Sequence, residues 1–131
     1  MLKVVLDTNI LVSSLLTYGP PAVIVDLVAD GKIVPYYGEL IIQEYWDVLS
    51  REKFNFSSSQ VFRLINDITR AGMAVKKIQT GRKKMYDEGD RIFYDTAVIS
   101  QSYLITGNIR HFPKETFIVS PAQFLTLYRG K

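Results

Sequence analysis

Hydrophobic and polar positions along the chain form blocks that predict strands and helices in alternation. The β-branched apolar run Lys3–Leu6 predicts a short buried strand that ends at Asp7. Pro20 and Pro21 then open a helical pattern that Gly31 closes. The same patterns predict later strands over 33–37, 73–78, 103–106 and 117–119. They predict helices over 39–51 and 60–71, a helix that begins at about residue 91, and a terminal helix that begins at the Ser120-Pro121 cap.

This alternation predicts an α/β fold with a mainly parallel central sheet flanked by helices. The chain of 131 residues contains no internal repeat, low-complexity tract or linker. We therefore expect one domain over residues 1–131.

Composition narrows the class of protein and its partners. Hydrophobic residues make up 47% of the chain, charged residues 22%, and cysteine is absent, so disulfides and thiolate metal sites are excluded. With no apolar run of membrane-spanning length and no signal-peptide pattern, the expectation is a cytoplasmic protein without a membrane partner. The net charge of +3 suits a polyanionic partner, although a solvated basic surface explains it equally well. Much of the excess lies in one segment, whose residues are candidates to contact the phosphate backbone of such a partner: Lys76, Lys77, Arg82, Lys83 and Lys84.

Polar residues follow two predicted strands at the point where each strand ends. Asp7 interrupts the apolar run V-V-L-D-T-N-I-L-V, and Asn108 follows L-I-T-G-N. If these strands are parallel neighbours, both residues lie at the carboxyl edge of the sheet, where ligands bind in open α/β folds. Thr8, Asn9 and Thr106 would then be available to form hydrogen bonds with the acids, with Thr8 and Asn9 forming a turn.

Two further acids are candidates for the same site. At about 100° per residue, Glu44 falls inside the edge of the apolar arc of its helix, whereas Asp47 points to the polar side. Asp90 lies at the start of a helix, where the dipole favours an anion. Asp95 lies about 140° around that helix from Asp90, so we expect only one of the two in the site and favour Asp90.

Three carboxylates in one cleft repel one another unless a cation compensates them, and Mg²⁺ or Mn²⁺ prefers oxygen ligands. Such sites hydrolyse phosphodiesters. Structural roles stay open, with Asp7 and Asp90 as helix caps and Glu44 as an ion-pair partner of Arg51 or Lys53. The absence of cysteine and the presence of a single histidine, His111, argue against a thiol protease or a two-histidine ribonuclease. We interpret His111 as a loop or surface residue.

The sequence resembles the PIN-domain ribonucleases, in the branch of VapC-like toxins. The resemblance covers nearly the whole chain. It rests on four segments in order: V-V-L-D-T-N-I-L-V, E-Y-W-D-V-L-S-R-E-K-F, D-R-I-F-Y-D-T-A and Y-L-I-T-G-N-I-R-H-F-P.

The resemblance implies a PIN-like, Rossmann-like three-layer sandwich with an acidic Mg²⁺ or Mn²⁺ site that hydrolyses RNA. By position it assigns the three acids to Asp7, Glu44 and Asp90, with Asn9 and Thr106 in support. It also implies a cognate antitoxin protein and a homodimer. Many members carry a fourth acid where this chain has Asn108, which removes one negative charge from the site.

That departure leaves two further hypotheses open. A PIN-like module could bind RNA or a partner with weak or absent catalysis. Alternatively, L-D-T-N could begin a phosphotransfer site with Asp7 as nucleophile, but Asn9 occupies the position where a second aspartate is usual.

Overall fold

A five-stranded sheet, in which all paired strands run parallel, forms the centre of the fold. The computed structural model describes residues 1–76 and 84–130. The strands within them lie in the order β3-β2-β1-β4-β5. They are β1 (Lys3–Leu6), β2 (Val34–Tyr37), β3 (Met73–Ala74), β4 (Tyr103–Ile105) and β5 (Ile118–Val119).

Strand β1 lies in the middle because its residues are apolar on both faces. Val4 and Val5 are both fully buried, as expected of a central strand in a parallel sheet covered on both sides. β1 pairs with β4 in a register that places Leu6 opposite Ile105. β2 and β3 extend the sheet on one side of β1, and β4 and β5 extend it on the other side. The carboxyl ends of β1 and β4 therefore flank the switch point of the sheet, where a crevice forms.

Six α-helices in the described residues flank the sheet and confirm the predicted α/β three-layer arrangement. Two of them begin with a complete capping box, formed by Ser57 with Gln60 and by Ser120 with Gln123. The helices are α1 (Thr8–Leu16), α2 (Pro20–Ala29), α3 (Glu39–Leu49), α4 (Ser58–Ala71), α5 (Arg91–Ser100) and α6 (Pro121–Arg129). Single turns of 3₁₀-helix lie at Glu52–Phe54, Glu88–Asp90 and Ile109–His111.

Two local predictions differ from the structure. Thr8 and Asn9 do not form a turn, because α1 begins at Thr8 and Asp7 is its N-cap. The Asp7 side chain accepts a hydrogen bond from the Thr8 backbone, which stabilises a helix start immediately after the strand. The strand predicted over 73–78 is observed only at Met73–Ala74, and residues 77 and 78 lie outside the described part of the chain.

Aromatic side chains connect the helices that carry the candidate acids to the central strand. Tyr45 of α3 is 1% exposed, and its hydroxyl donates a hydrogen bond of 2.6 Å to the Leu6 carbonyl. The Tyr45 ring also packs against Phe93 of α5, with 6.4 Å between ring centroids. α3 and α5 are thereby fixed relative to the end of β1.

Among residues 1–76 and 84–130, no single helix is both long and apolar enough to cross a membrane. The pair α1 and α2 meets the length and composition requirements only when counted together, across a bend of 103°.

The close approach of α4 to β2 gives a testable prediction at Gly72. A Cβ atom built at Gly72 would lie 2.2 Å from the Pro35 carbonyl oxygen, although the backbone φ of −106° suits any residue. Gly72→Ala is therefore expected to lower the free energy of unfolding by about 1–3 kcal/mol, the usual cost of overpacking. Urea denaturation measures this. Gly19→Ala, where a Cβ meets nothing within 4 Å, is the matched control, and equal losses in the two variants would contradict the steric explanation.

Candidate active site

Asp7 lies at the carboxyl end of β1 with its carboxylate held in one orientation by three donors. The side chain is 7% exposed. Its Oδ1 accepts from the Thr8 backbone N–H at 2.9 Å. Its Oδ2 accepts from the Thr106 hydroxyl at 2.7 Å and from the Asn9 amide at 3.3 Å. The parallel pairing of β1 with β4 brings Thr106 to this position, as the sequence predicted.

Burial raises the pKa of Asp7 above its ordinary value of 3.8, and the negative charge of Glu44 raises it further. The hydrogen bonds from Thr106 and Thr8 act in the opposite direction, as does the imidazole of His111. Because the net shift is upward, the donors around Asp7 do not fully compensate the loss of solvent. The ionised carboxylate is thus under-compensated by the described residues.

Glu44 reaches the same edge from the second turn of α3. It is partly buried, and its Oε2 accepts a hydrogen bond of 2.6 Å from the Thr8 hydroxyl. Asp47, on the outer face of α3, forms an exposed ion pair with Arg51 at 3.6 Å. Helical periodicity predicted this separation of an inward and an outward acid. The proposed pairing of Arg51 with Glu44 is replaced by the Arg51–Asp47 pair.

Asp90 enters from the other side, at the junction of the 3₁₀ turn Glu88–Asp90 with α5. The residue is the N-cap position of α5, and its backbone N–H donates to the Asp87 carbonyl at 3.0 Å. Burial raises the pKa of Asp90 to about 6, and the negative charges of Asp7, Asp87 and Glu44 contribute to the rise. Since the negative charges of Asp7 and Glu44 raise the pKa of Asp90, and that of Glu44 raises the pKa of Asp7, the three side chains belong to one acidic cleft.

The chemistry of this donor set fits a hard divalent cation such as Mg²⁺ or Mn²⁺. All three side chains offer carboxylate oxygens, and a cation between them would relieve the repulsion that raises the pKa of Asp90. However, no group of three or more His, Cys, Asp or Glu residues in the described ranges is placed to hold a metal ion. The donors therefore match the cation in type and charge.

Comparison with known proteins places this acidic cleft in a family. The PIN domain model matches residues 3–110. The chain belongs to the PIN-domain family. The match runs from β1 into the 3₁₀ turn after β4, so all three candidate carboxylates lie inside it.

A curated relative gives a more distant comparison. The chain is 29% identical over 111 residues to the uncharacterized protein MJ1680 of Methanocaldococcus jannaschii. The aligned residues cover 82% of this chain and 71% of the relative. No solved structure gives a significant match. The family assignment thus rests on the PIN-domain model, and the geometry of the site rests on this chain.

A second layer of hydrogen bonds in this PIN domain connects the loop after β4 to the acids. The Gly107 backbone N–H donates to the Asn9 side-chain oxygen at 3.1 Å. The Asn108 backbone N–H donates to the Thr106 hydroxyl at 3.0 Å. Asn108 itself is exposed at the start of the short helix Ile109–His111. Asn9 and Thr106 therefore support Asp7 directly, whereas Asn108 lies at the rim of the cleft.

Asp95 and Lys76 lie in a different pocket from Asp90. Asp95 is 5% exposed and lines a pocket of about 310 Å³ together with Lys76 and Arg91. Asp90, in contrast, does not line this pocket, which agrees with their predicted separation around the helix. Lys84 is exposed. The other basic residues predicted to contact RNA lie outside the described residues: Lys77, Arg82 and Lys83.

His111 is exposed, as the sequence predicted, but sequence reasoning missed its proximity to the acids. Its imidazole lowers the pKa of both Asp7 and Asp90. The available signal was the spacing N-I-R-H: His111 follows Asn108 by three residues, which is one turn of the 3₁₀-helix observed there. The histidine thus lies within electrostatic range of the acidic cleft.

The hydrogen bonds of Thr106 predict a specific loss on mutation. Thr106→Val keeps the shape but removes the hydroxyl that donates to Asp7 and accepts from Asn108. For the nuclease activity that PIN domains generally carry, we expect a fall of about 10- to 100-fold, the range for loss of a hydrogen bond that orients a functional side chain. Thr106→Ser retains the hydroxyl and should keep most activity. Steady-state cleavage assays compare the two, and equal losses would show that the methyl group, rather than the hydroxyl, matters.

Proposed function

We propose that this PIN domain is a Mg²⁺- or Mn²⁺-dependent endoribonuclease. The observation that carries the proposal is the convergence of three mutually repelling carboxylates, Asp7, Glu44 and Asp90, at the carboxyl edge of the central strands. PIN domains are generally metal-dependent nucleases, so family and site chemistry point in the same direction.

In the proposed reaction the three carboxylates hold the cation, and other residues of the chain fix their positions. When bound, a divalent cation lowers the pKa of water and neutralises charge at the scissile phosphate. Thr106 and Asn9 orient the Asp7 carboxylate, and Thr8 orients that of Glu44. Asn108 contributes a neutral amide at the rim, in place of a fourth acid. A site with one fewer negative charge is expected to bind a second cation weakly.

In the cell, we propose that the protein is the toxin of a toxin–antitoxin pair. This rests on the resemblance to VapC-like toxins, which implies an antitoxin protein that masks the cleft and a homodimer. The net charge of +3 and the exposed Lys76 and Lys84 suit an RNA backbone. Induced expression should therefore arrest growth and degrade RNA, and co-expression of a neighbouring antitoxin gene should restore growth.

The direct test is cleavage of RNA by the purified protein. We expect cleavage with Mn²⁺ or Mg²⁺ and none after chelation by EDTA, with recovery when excess Mn²⁺ is returned. Calcium ions at the same concentration form the control for charge screening alone. Cleavage that continues at full rate in EDTA would contradict a metal-dependent mechanism.

A second candidate function is an RNA- or partner-binding module with little catalysis. Two observations favour it: the neutral Asn108, and the lack of a ready-made three-ligand group among residues 1–76 and 84–130. In that case RNA binding survives both EDTA and Glu44→Gln, and no cleavage products appear with either metal. The nuclease proposal instead requires that RNA cleavage products appear with the metal and that Glu44→Gln removes them.

A further inference from the structure

A pair of exposed aromatic rings lies beside the acidic cleft. The ring centroids of Tyr86 and His111 are 5.4 Å apart, with 35° between the ring planes. Tyr86 is 81% exposed, so one face of its ring contacts His111 while most of the ring remains open to solvent. Large aromatic side chains are usually more buried than this. The pair therefore presents an open aromatic face.

Buried neighbours hold both rings outward. Met85 is 5% exposed and Phe112 is 7% exposed, and both belong to the hydrophobic core. Met85 precedes Tyr86 in sequence and Phe112 follows His111, so a core residue fixes the backbone next to each ring. The exposure of Tyr86 thus follows from the way the chain packs, since its neighbour Met85 occupies the core position.

The same two segments carry site residues, which places the rings at the cleft. Tyr86 precedes Asp90 by four residues, and the Asp87 side chain caps the intervening turn by accepting from Gly89 at 2.9 Å. The backbone N–H of His111 donates to the Asn108 carbonyl at 3.0 Å. The Asn108 backbone N–H in turn donates to the Thr106 hydroxyl, which donates to Asp7, so a continuous series of hydrogen bonds links the His111 turn to the Asp7 carboxylate.

A cation adjoins the pair. Arg110 is exposed and lines, with His111 and Asn108, a pocket of about 330 Å³. An arginine next to an open aromatic face, at the edge of an acidic cleft, matches the requirements of a nucleotide: a base that stacks and a phosphate that pairs with the guanidinium. A peptide would not require this combination of groups.

We infer that Tyr86 binds a base of single-stranded RNA by stacking, next to the phosphate presented to Asp7, Glu44 and Asp90. This inference rests on the proposed ribonuclease function and assigns it a substrate-binding residue. His111 is a positioning residue that supports the inner face of the Tyr86 ring, and Arg110 contacts the adjoining phosphate. Because every base has an aromatic face, the contact selects an unpaired strand rather than a particular sequence.

The test measures binding separately from cleavage. In an Asp7→Asn background, fluorescence anisotropy compares a short single-stranded RNA with a ribose-phosphate oligomer of equal length that lacks bases. We expect Tyr86→Ala to weaken binding of the base-bearing RNA about tenfold, the scale of one stacking contact, and to leave binding of the abasic oligomer unchanged. Tyr86→Phe should retain most of the affinity. Tyr18→Ala, at a tyrosine that is 79% exposed, is the control for loss of an unrelated ring.

The cleavage assay, with Asp7 intact, separates the two proposals. Tyr86→Ala should raise KM about tenfold and leave kcat within about twofold, because stacking contributes to binding of the substrate. If Tyr86→Ala binds both oligomers like its parent, or loses affinity for both equally, stacking at Tyr86 is wrong even where cleavage is normal. If the Asp7→Asn parent binds in the expected base-dependent way but the protein with Asp7 intact cleaves no RNA with Mn²⁺, the stacking site stands and the nuclease proposal fails.

Discussion

Asp7→Asn is expected to reduce RNA cleavage by at least about 100-fold and at the same time to stabilise the metal-free protein. Loss of residues that merely orient metal ligands costs about 10- to 100-fold, so loss of a ligand carboxylate should reach or exceed the upper end of that range. Asparagine preserves the shape, and the Thr106 hydroxyl can accept as well as donate a hydrogen bond. The loss of activity therefore reports the missing charge rather than a misfolded site.

The gain in stability follows from the direction of the Asp7 pKa shift. Because burial raises this pKa above 3.8, the folded state binds a proton more tightly than the unfolded state. Above pH 3.8 the ionised carboxylate thus lowers the free energy of unfolding, and a neutral asparagine removes that cost. Thermal unfolding at pH 7 should show a higher Tm for Asp7→Asn than for wild type, and the difference should disappear as the pH falls below 3.8.

Asp47→Asn is the matched control for Asp7→Asn. Its side chain is 78% exposed and forms only a solvent-screened pair with Arg51. Activity should remain unchanged and stability should change by less than about 0.5 kcal/mol. If Asp7→Asn cleaves RNA as well as Asp47→Asn does, then Asp7 has no part in the chemistry.

Manganese is expected to stabilise the folded protein strongly near pH 7, and Asp90 should determine how that effect varies with pH. A ligand at 100 times its Kd stabilises the folded state by about 2.7 kcal/mol. Protons compete with the cation for Asp90 below its pKa of about 6. The Mn²⁺-induced rise in Tm should therefore shrink between pH 7 and pH 5.

Asp90→Asn tests this explanation in both states of the protein. With Mn²⁺, the variant should lose most of the stabilisation at pH 7. Without metal, it should be more stable than wild type above pH 6, because the raised pKa means that the ionised Asp90 disfavours folding. That advantage should decline from pH 6 to pH 3.8, the ordinary value for the carboxyl. Scanning calorimetry at several pH values measures both effects, and a Tm rise with Mn²⁺ that is unchanged in Asp90→Asn would contradict the assignment.

Much of the fold was predictable because local patterns agree with the tertiary arrangement. The apolar run Lys3–Leu6 predicted a short buried strand, and helical periodicity separated the inward Glu44 from the outward Asp47. Ser120 is observed as an N-cap, as the Ser120-Pro121 pair predicted, because its capping interactions involve only residues within one helical turn. These features depend on neighbours in sequence, which is why the sequence alone determined them.

The tertiary structure decided which side chains meet. The Thr8 hydroxyl reaches Glu44 across 36 positions of sequence, and Thr106 reaches Asp7 across 99. The proximity of His111 to Asp7 likewise depends on β1 pairing with β4. No periodicity encodes such contacts, since they arise when distant segments pack into one sheet. That packing makes Asp7, which the sequence shows only as an acid at the end of a strand, part of an acidic cleft.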